Sequence, residues 1–285
     1  MINRINIVTT KAVSFSDMES ENTSMAKALE KYGFEVSLAD WHDLYKTIST
    51  QKRLSIGPLL IRTVWDYPKY YDEFQDFIRL LREANIMMVN PANIIQWNID
   101  KRYLFELQDA GFPIVPCEFV KAGSIVYGKN GQSVIKPVIG LGACGAKILN
   151  EGDSLIAQVD SLINPFRTSV YEGEVSVILI SGKPVLFIRK IPASSDWRVQ
   201  PEYGGKYLFE STMPKEVTDL AEKLYRYIYN RFESKYLLFM RVDMLRNDNS
   251  WEILEFEAID PSLYGAVSSF AVDALAHSIS SLYKS

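Results

Sequence analysis

The pattern of apolar residues changes character part-way along the chain, and that change limits the fold more than any other feature. Up to about residue 95, short apolar runs alternate with helical periods. RINIVT at 4–9, FEVSLA at 34–39, PLLIRT at 58–63 and IMMVN at 86–90 read as strands. Between them, Met25, Ala28, Leu29 and Tyr32 recur at helical spacing, and Gly33 is placed to end that helix. Phe74, Phe77, Ile78 and Leu81 share a second helical face. Asn90-Pro91 offers an N-cap residue followed by proline at the first helical position. Alternation of this kind predicts a parallel α/β domain.

After a helical stretch ending near Gly111, strand-like runs follow one another: PIVPCEFV, SVIKPV, GAKIL, TSVYEGEVSVILIS, KPVLFIRK, LLFMRVDML and WEILEFEA. SGK at 181–183 and RNDNS at 246–250 read as hairpin turns. Two helical periods interrupt, one through Leu155, Val159 and Leu162, the other through Val217, Leu220, Ala221, Leu224 and Ile228. Residues 112–285 therefore read as antiparallel α+β in two lobes. With 285 residues, 47% of them hydrophobic, the chain can fill more than one core.

Composition excludes several function classes. The net charge is −4 and no basic run is present, which argues against nucleic acid. Two cysteines do not make a disulfide framework: Cys117 reads as a core residue and Cys144 as a small side chain in a glycine-rich loop. His42, in an inter-element loop, and His277, in an apolar helical tail, are too few for a His-rich zinc site. MINRINIVTT has no signal-like apolar core, and no apolar run is long enough to span a membrane. A cytoplasmic protein with no membrane partner is the expectation.

The segment VIKPVIGLGACGAKIL, residues 134–149, carries the first chemical signal. GLGACG matches G-x-G-x-x-G, but AKIL and a turn follow where a dinucleotide fold requires a helix. A P-loop requires Gly-Lys-Ser/Thr, and Gly145 is followed by Ala146. A strand–loop–strand arrangement leaves an ordinary turn, or a hairpin whose backbone amides lie over a triphosphate. Lys136 shares its strand face with Val134 and Val138. A buried ammonium there requires a charged partner, either a phosphate or some Glu, unless it snorkels to water.

The second signal is RVDML…WEILEFEA. Glu255 and Glu257 project to one face, and with an odd loop Asp243 and Arg241 join them. Three converging carboxylates repel unless a cation lies among them, and hard oxygen ligands suit Mg²⁺, unless the face is simply solvated. Arg189, Lys190 and Arg198 form a basic cluster suited to phosphate or a substrate carboxylate, or to plain surface charge. Arg62, Trp65, Asp66 and Tyr67 follow PLLI at a strand's carboxyl end, where open α/β sheets bind ligands. Asp66 is a candidate for a substrate ammonium, with Trp65 or Tyr67 against it.

The order of these motifs, from NIDKRYL through the KP-glycine hairpin, GEVS and the basic loop to RVDML…LEFEAIDP, resembles the ATP-grasp superfamily in its glutathione-synthetase-like branch. IRTVWDYPKYYDEF and VNPANIIQWNIDKRYLFELQDAGFPIVPCEFV are similar to the D-cycloserine-forming O-ureido-serine cyclo-ligases and their relatives. The resemblance implies an N-terminal α/β domain at 1–95, a small lobe at 96–165 and a large lobe at 166–285, the two antiparallel lobes clamping ATP. It implies ATP and Mg²⁺, or Mn²⁺ in its place, as cofactors. Lys101, on a helix, and Lys136 would contact ATP phosphates or the adenine edge. Gly140, Gly142 and Gly145 would form the mobile loop, and Asn164, Pro165 and Phe166 the adenine hinge. Asp243, Glu255 and Glu257 would hold the metal; Glu257 departs from the Asn of glutathione synthetases and agrees with the cyclo-ligase type. Arg189 and Arg198 would face the acyl phosphate. The implied activity is carboxylate–amine ligation on an amino acid or small peptide, with a cyclising ligase or a small-molecule kinase as alternatives. A catalytically inert binding protein and a dehydrogenase are weaker readings. Relatives often dimerise, so a homodimer is an open expectation.

Overall fold

The computed structural model describes residues 4–12, 18–50, 56–129, 131–265 and 267–284, so the first three residues of MINRINIVTT fall outside it. The N-terminal part is a parallel sheet of β1 (Arg4–Thr9), β2 (Glu35–Asp40), β3 (Leu59–Ile61) and β4 (Met88–Val89) in the order β2-β1-β3-β4. Its crossovers are α1 (Met18–Lys31), α2 (Trp41–Thr50) and α3 (Tyr71–Glu83). The sheet is covered on both faces, as parallel sheets are. Ile5 and Ile7 pack with Met25, Ala28 and Leu29 of α1, while Val8 and Ile61 pack with Trp41, Phe74, Phe77, Ile78 and Leu81. The chain leaves β1 for β2 on one side and returns as β3 on the other. The carboxyl edge between β1 and β3 is therefore the switch point at which such sheets open a crevice.

Two short helices follow, α4 (Ala92–Asn98) and α5 (Tyr103–Asp109), then six strands: β5 (Glu118–Val120), β6 (Ile125–Tyr127), β7 (Gln132–Pro137), β8 (Lys147–Asn150), β9 (Ser154–Ile156) and β10 (Ser161–Pro165). β5, β10, β7 and β8 form an antiparallel sheet in that order, and β6 pairs with β9 beside it. The large sheet is antiparallel, from β11 (Glu174–Ile180), β12 (Lys183–Ile191), β13 (Lys206–Glu210), β14 (Phe239–Asn247) and β15 (Ser250–Glu257), in the order β13-β12-β11-β14-β15. α6 (Lys215–Phe232) lays Val217, Ala221, Leu224 and Ile228 on one face of it, against Val175, Val177, Val242 and Met244. α7 (Phe270–Lys284) and α1 cover one end of the other face, over Ile178 and Ile180. The rest of that face carries polar side chains, and the site is built there. No helix among the described residues is long and apolar enough to cross a membrane.

An α/β domain followed by two antiparallel lobes is thus present, with local corrections. The helical period at Leu155, Val159 and Leu162 is two strands, β9 and β10, joined by a turn; three residues at helical spacing arose by coincidence, and Val159 is exposed. TSVYE is a 3₁₀ turn, Thr168–Glu172, not strand. Asn90 does not cap α4. Its backbone is left-handed (φ 53°), and its amide donates to the carbonyls of Phe239 and Ala258 while accepting from Leu238 N. Pro91 takes the position before the helix. Lys101 lies in the turn ahead of α5 rather than on a helix, and His42 lies in the first turn of α2 rather than in a loop.

Candidate functional site

The β14–β15 register pairs Arg241 with Glu257 and Asp243 with Glu255, so all four project from one face. Ligating oxygens of Asp243, Glu255 and Glu257 lie within 4.8 Å of one another. The protein supplies cations of its own among them, Arg241 and Lys190. Arg241 donates to both Asp243 oxygens (3.0 and 2.8 Å) and to Glu257 Oε1 (2.6 Å). Lys190, brought in by β12, donates to Asp243 Oδ1 (3.2 Å) and Glu174 Oε1 (2.9 Å), and Ser176 Oγ also donates to Asp243. Burial opposes the charge on Asp243, but Arg241 and Lys190 outweigh it and hold that carboxyl well below the usual range. Burial pushes Glu174 and Glu257 up, against the pull of Lys190 and Arg241 respectively.

The donors nonetheless fit a divalent cation. Asp243 is saturated by its donors, but Glu255 accepts no hydrogen bond from a described residue, and its nearest cation is Lys101 Nζ at 3.9 Å. Glu257 keeps Oε2 free beside the bonded Oε1. Two carboxylates with free oxygens, Glu255 on the cleft and Glu257 within 4.8 Å of it, make the kind of set that Mg²⁺ takes.

Opposite them, β7 presents Lys136, paired in register with Leu162 of β10, to an open cleft that Glu255 also lines. Lys136 is half-buried and has no hydrogen bond or ion pair to a described residue, so the salt bridge to a Glu is absent. Burial pulls its ammonium down; Glu255 pushes it up and Lys101 adds to the lowering. The loop between β7 and β8 is left-handed at Gly142 (φ 61°), Ala143 (φ 57°) and Gly145 (φ 77°), and a Cβ on Gly145 would meet Pro137 at 3.0 Å. The amides of Gly142, Ala143 and Gly145 donate to no described residue. Gly140 has an ordinary backbone; its carbonyl accepts from Lys101 Nζ. Leu141 and Ile139 pack on the apolar cluster of the N-terminal domain, so this loop touches both halves of the molecule.

Asn164, Pro165 and Phe166 line the same cleft. Asn164 Nδ2 donates to the carbonyls of Val115 (3.3 Å) and Pro116 (2.8 Å). Arg198 lines it too, stacked 3.5 Å over the Tyr203 ring and paired with Asp196, whose carboxyl it holds down at about 2. Cys144 is exposed in the loop, and Cys117 is half-buried.

Arg189 is not brought to this site. The register pairs it with Val175, on the face covered by α6, and its Nε is bonded to Glu210 at 3.0 Å. Alternation along β12 gives the site Lys190 instead. Among the N-terminal candidates, Asp66 is not open to an ammonium. It is buried and accepts from Thr10 Oγ1 (2.7 Å) and Trp41 Nε1 (2.9 Å), with His42 Nε2 at 2.7 Å. Arg62 is spent on Glu21 (2.9 Å) and the Pro261 carbonyl (2.7 Å). Tyr67 stacks on Phe74, and Trp65 is half-buried beside it. Only the Tyr67 hydroxyl reaches toward the acids, whose charges, after burial, push it well up. Sequence reasoning missed Glu174, Ser176 and Asp260. The position of Asp260 directly after the metal-type acids was the available signal.

Residues 5–90 match the family described as D-cycloserine synthetase DcsG, N-terminal domain. The cycloserine biosynthesis protein DcsG of Streptomyces lavendulae is 25% identical over 115 residues, 40% of this chain and 36% of that one. A glutathione synthetase of Prochlorococcus marinus subsp. pastoris is 27% identical over 118 residues, 41% of this chain and 36% of that one. These matches thus span little more than a third of either curated relative's length. Among solved structures, D-cycloserine synthetase DcsG superposes with a TM-score of 0.80 at 17% identity, over 98% of this chain and 99% of that one. D-Alanine–D-alanine ligase from Bacillus anthracis, complexed with ATP, superposes with a TM-score of 0.67 at 15% identity, over 99% and 98%. At these identities the likeness is one of fold: the chain has the fold of the D-cycloserine synthetase DcsG and D-alanine–D-alanine ligase structures, and its N-terminal residues resemble the DcsG domain.

Proposed function

We propose that the protein is an ATP-dependent carboxylate–amine ligase acting on an amino-acid-like substrate. The observation that carries this reading is a pair of groups facing one cleft: Lys136, an ammonium with no hydrogen bond or ion pair to a described residue, and Glu255, a carboxylate with no hydrogen-bond donor among the described residues and only Lys101 near it, at 3.9 Å. A nucleoside triphosphate with its metal satisfies both. In the three-part division at 1–95, 96–165 and 166–285, the nucleotide lies between the second and third parts.

In the first step a substrate carboxylate oxygen attacks the γ-phosphorus and ADP leaves. Charge spreads over the transferred oxygens, so fixed positive groups matter more than a protein nucleophile. Lys136 and Lys101 hold phosphate oxygens, and Arg198 faces the transferring group from the cleft wall. The free amides of the loop at 140–145 close over the chain of phosphates and keep water from the acyl phosphate. Asn164, Pro165 and Phe166 hold the base. Glu255 and Glu257 would hold Mg²⁺, with Asp243 beside them fixed by Arg241 and Lys190, and the ion would neutralise developing charge on the phosphate oxygens. Lys190 and Arg241 fix the orientation of those acids. In the second step an amine attacks the acyl carbon, the C–N bond forms, and phosphate leaves with the electrons of the broken C–O bond.

The match of residues 5–90 to a D-cycloserine synthetase domain favours a second form of the same chemistry, in which carboxylate and nucleophile belong to one molecule. A screen of ADP release with amino acids singly and in pairs, with mass spectrometry of products, tests both. Turnover only with pairs supports intermolecular ligation. Turnover with one compound and free phosphate supports cyclisation, and phosphate retained on the product would make the protein a kinase. Absence of ADP release with every compound would remove the ligase reading.

A further inference from the structure

The loop between β7 and β8, GLGACGA at 140–146, is glycine, alanine and cysteine apart from one large side chain, Leu141. A backbone that only has to lie over an anion has no use for a leucine, and a leucine left in water on a flap gains nothing. Leu141 is half-buried. It lines the same cleft as Lys101, Lys136 and Glu255. It also packs on the apolar cluster of the N-terminal domain, which includes Val8, Ile61, Val64 and Tyr67 around the carboxyl ends of β1 and β3, and Ile259, two residues after Glu257. The stem of the loop is held separately: Lys101 N donates to Val138 O (3.0 Å) and Lys101 Nζ to Gly140 O. Beyond Leu141 the turn closes on itself, with Cys144 N donating to Leu141 O (3.1 Å) and Ala146 N to Ala143 O (3.1 Å). Between these bonds Gly142 and Ala143 both line the cleft, both are left-handed, and their amides donate to no described residue. The one large side chain of the loop is thus seated on the N-terminal domain, next in sequence to two free amides at the cleft.

We propose that Leu141 is a positioning residue: seated on the N-terminal domain, it holds the amides of Gly142 and Ala143 where the phosphates of a nucleotide meet them, so that the N-terminal domain forms part of the nucleotide site. This rests on the nucleotide half of the ligase reading and on none of its later chemistry. Glycine-rich backbone loses the most freedom when it is ordered. A loop tied at Leu141 has lost part of that freedom before the ligand arrives, and the ligand binds more tightly for it. The same contact works in reverse. Phosphates that hold the two amides hold Leu141 on its seat, and opening of the N-terminal domain beneath it becomes rarer.

Calorimetric titration with Mg–AMPPNP, a nucleotide that is bound without being turned over, and hydrogen exchange at residues 59–67 test this on wild type, L141S and L141M. In wild type, saturating Mg–AMPPNP should slow exchange at residues 59–67 by about threefold or more. L141M keeps an apolar chain of similar volume and should bind within about threefold of wild type, with the slowing retained. L141S should bind about tenfold more weakly and, even at saturation, leave exchange at 59–67 unchanged. Wild-type protein that binds Mg–AMPPNP with no change at 59–67 would overturn the proposal, and that measurement needs no variant. L141S binding as wild type does, or L141M as impaired as L141S, would overturn it too. An L141S protein whose Tm falls while exchange at 59–67 still responds to nucleotide has lost only stability, and that result also counts against the proposal. A wild type that does not bind Mg–AMPPNP would instead remove the nucleotide reading on which the proposal stands.

Discussion

Replacing Lys136 by Met separates a functional charge from a structural one. In the free protein this ammonium is half-buried, unpaired and depressed by burial, so it weakens the fold. Met fills a similar volume without the charge. Removing a liability of this kind typically stabilises by about 0.5–2 kcal/mol, or about 1–8 °C in Tm for a chain of this size. The sign also follows from titration. Below the depressed folded-state pKa both states carry the proton and the penalty is fully present. It is relieved as pH rises through the window between that value and the unfolded 10.5, so wild-type stability climbs there and K136M shows no such slope. Nucleotide reverses the ranking. Saturation at about 100 times Kd stabilises wild type by about 2.7 kcal/mol. Loss of a charge-assisted phosphate contact costs about 1.5–3 kcal/mol, which removes most of that shift. Thermal melts with and without Mg–ATP, at neutral and alkaline pH, measure both effects. A K136M protein that melts several degrees lower without nucleotide, or keeps the full shift with it, refutes the reasoning.

The acids should separate in the same way. E255Q removes a carboxylate with no donor and should change stability by no more than about 0.5 kcal/mol while abolishing Mg²⁺-dependent ADP release. D243N removes the carboxylate that Arg241 and Lys190 share, leaving them Glu257 and Glu174, and should cost about 3 kcal/mol, visible as a large fall in Tm. For Asp260, raised from 3.8 to about 7, the folded chain holds a proton that the unfolded chain has already lost. Stability contributed by this group therefore falls as pH rises through that window, at up to about 1.4 kcal/mol per pH unit, and urea melts of D260N should lack that slope. R189A should leave kcat/KM for ATP within about twofold, because its pairing is with Glu210 on the far face. R198A should raise the ATP KM about tenfold, the equivalent of one charge-assisted contact at about 1.4 kcal/mol per decade.

The parts legible in the sequence are those set by local periodicity. Asp243, Glu255 and Glu257 could be gathered on paper because a hairpin of alternating residues fixes its own faces. Lys136 was legible because a charge inside VIKPV stands out against its neighbours. Lys190 and Glu174 belong to the same cluster but arrive on β12 and β11, whose register against β14 depends on pairing between segments far apart in the chain. Without that register, Arg189 and Lys190 are equivalent members of one basic cluster; with it, Lys190 faces the acids and Arg189 the opposite side. Asp66 failed for a related reason. An Asp after a strand among aromatics suits a ligand site equally well on paper. Here its oxygens are claimed by Thr10, Trp41 and His42 from two other elements. The false helix through Leu155, Val159 and Leu162 rested on three residues, too few to separate a 3.6-residue period from two strands and a turn.

A physical regularity links the residues that were hard to read with those that were not. Around the cleft, buried charges are answered within the protein: Asp243 by Arg241 and Lys190, Glu174 by Lys190 and Glu252 by Arg167. Groups answered in this way are held in place and need nothing from outside. The exceptions face one another across the cleft: Lys136 from the small lobe, and Glu255 and half of Glu257 from the large one. Beside them, Leu141 of the glycine loop packs on the N-terminal domain. Whatever fills that space must offer negative charge toward Lys136 and positive charge toward Glu255 at once. A lone anion would repel the glutamates, and a lone dication would repel the lysine. A polyphosphate carrying its own divalent cation meets both demands, so the pattern of unanswered charge selects the ligand more sharply than any single residue does.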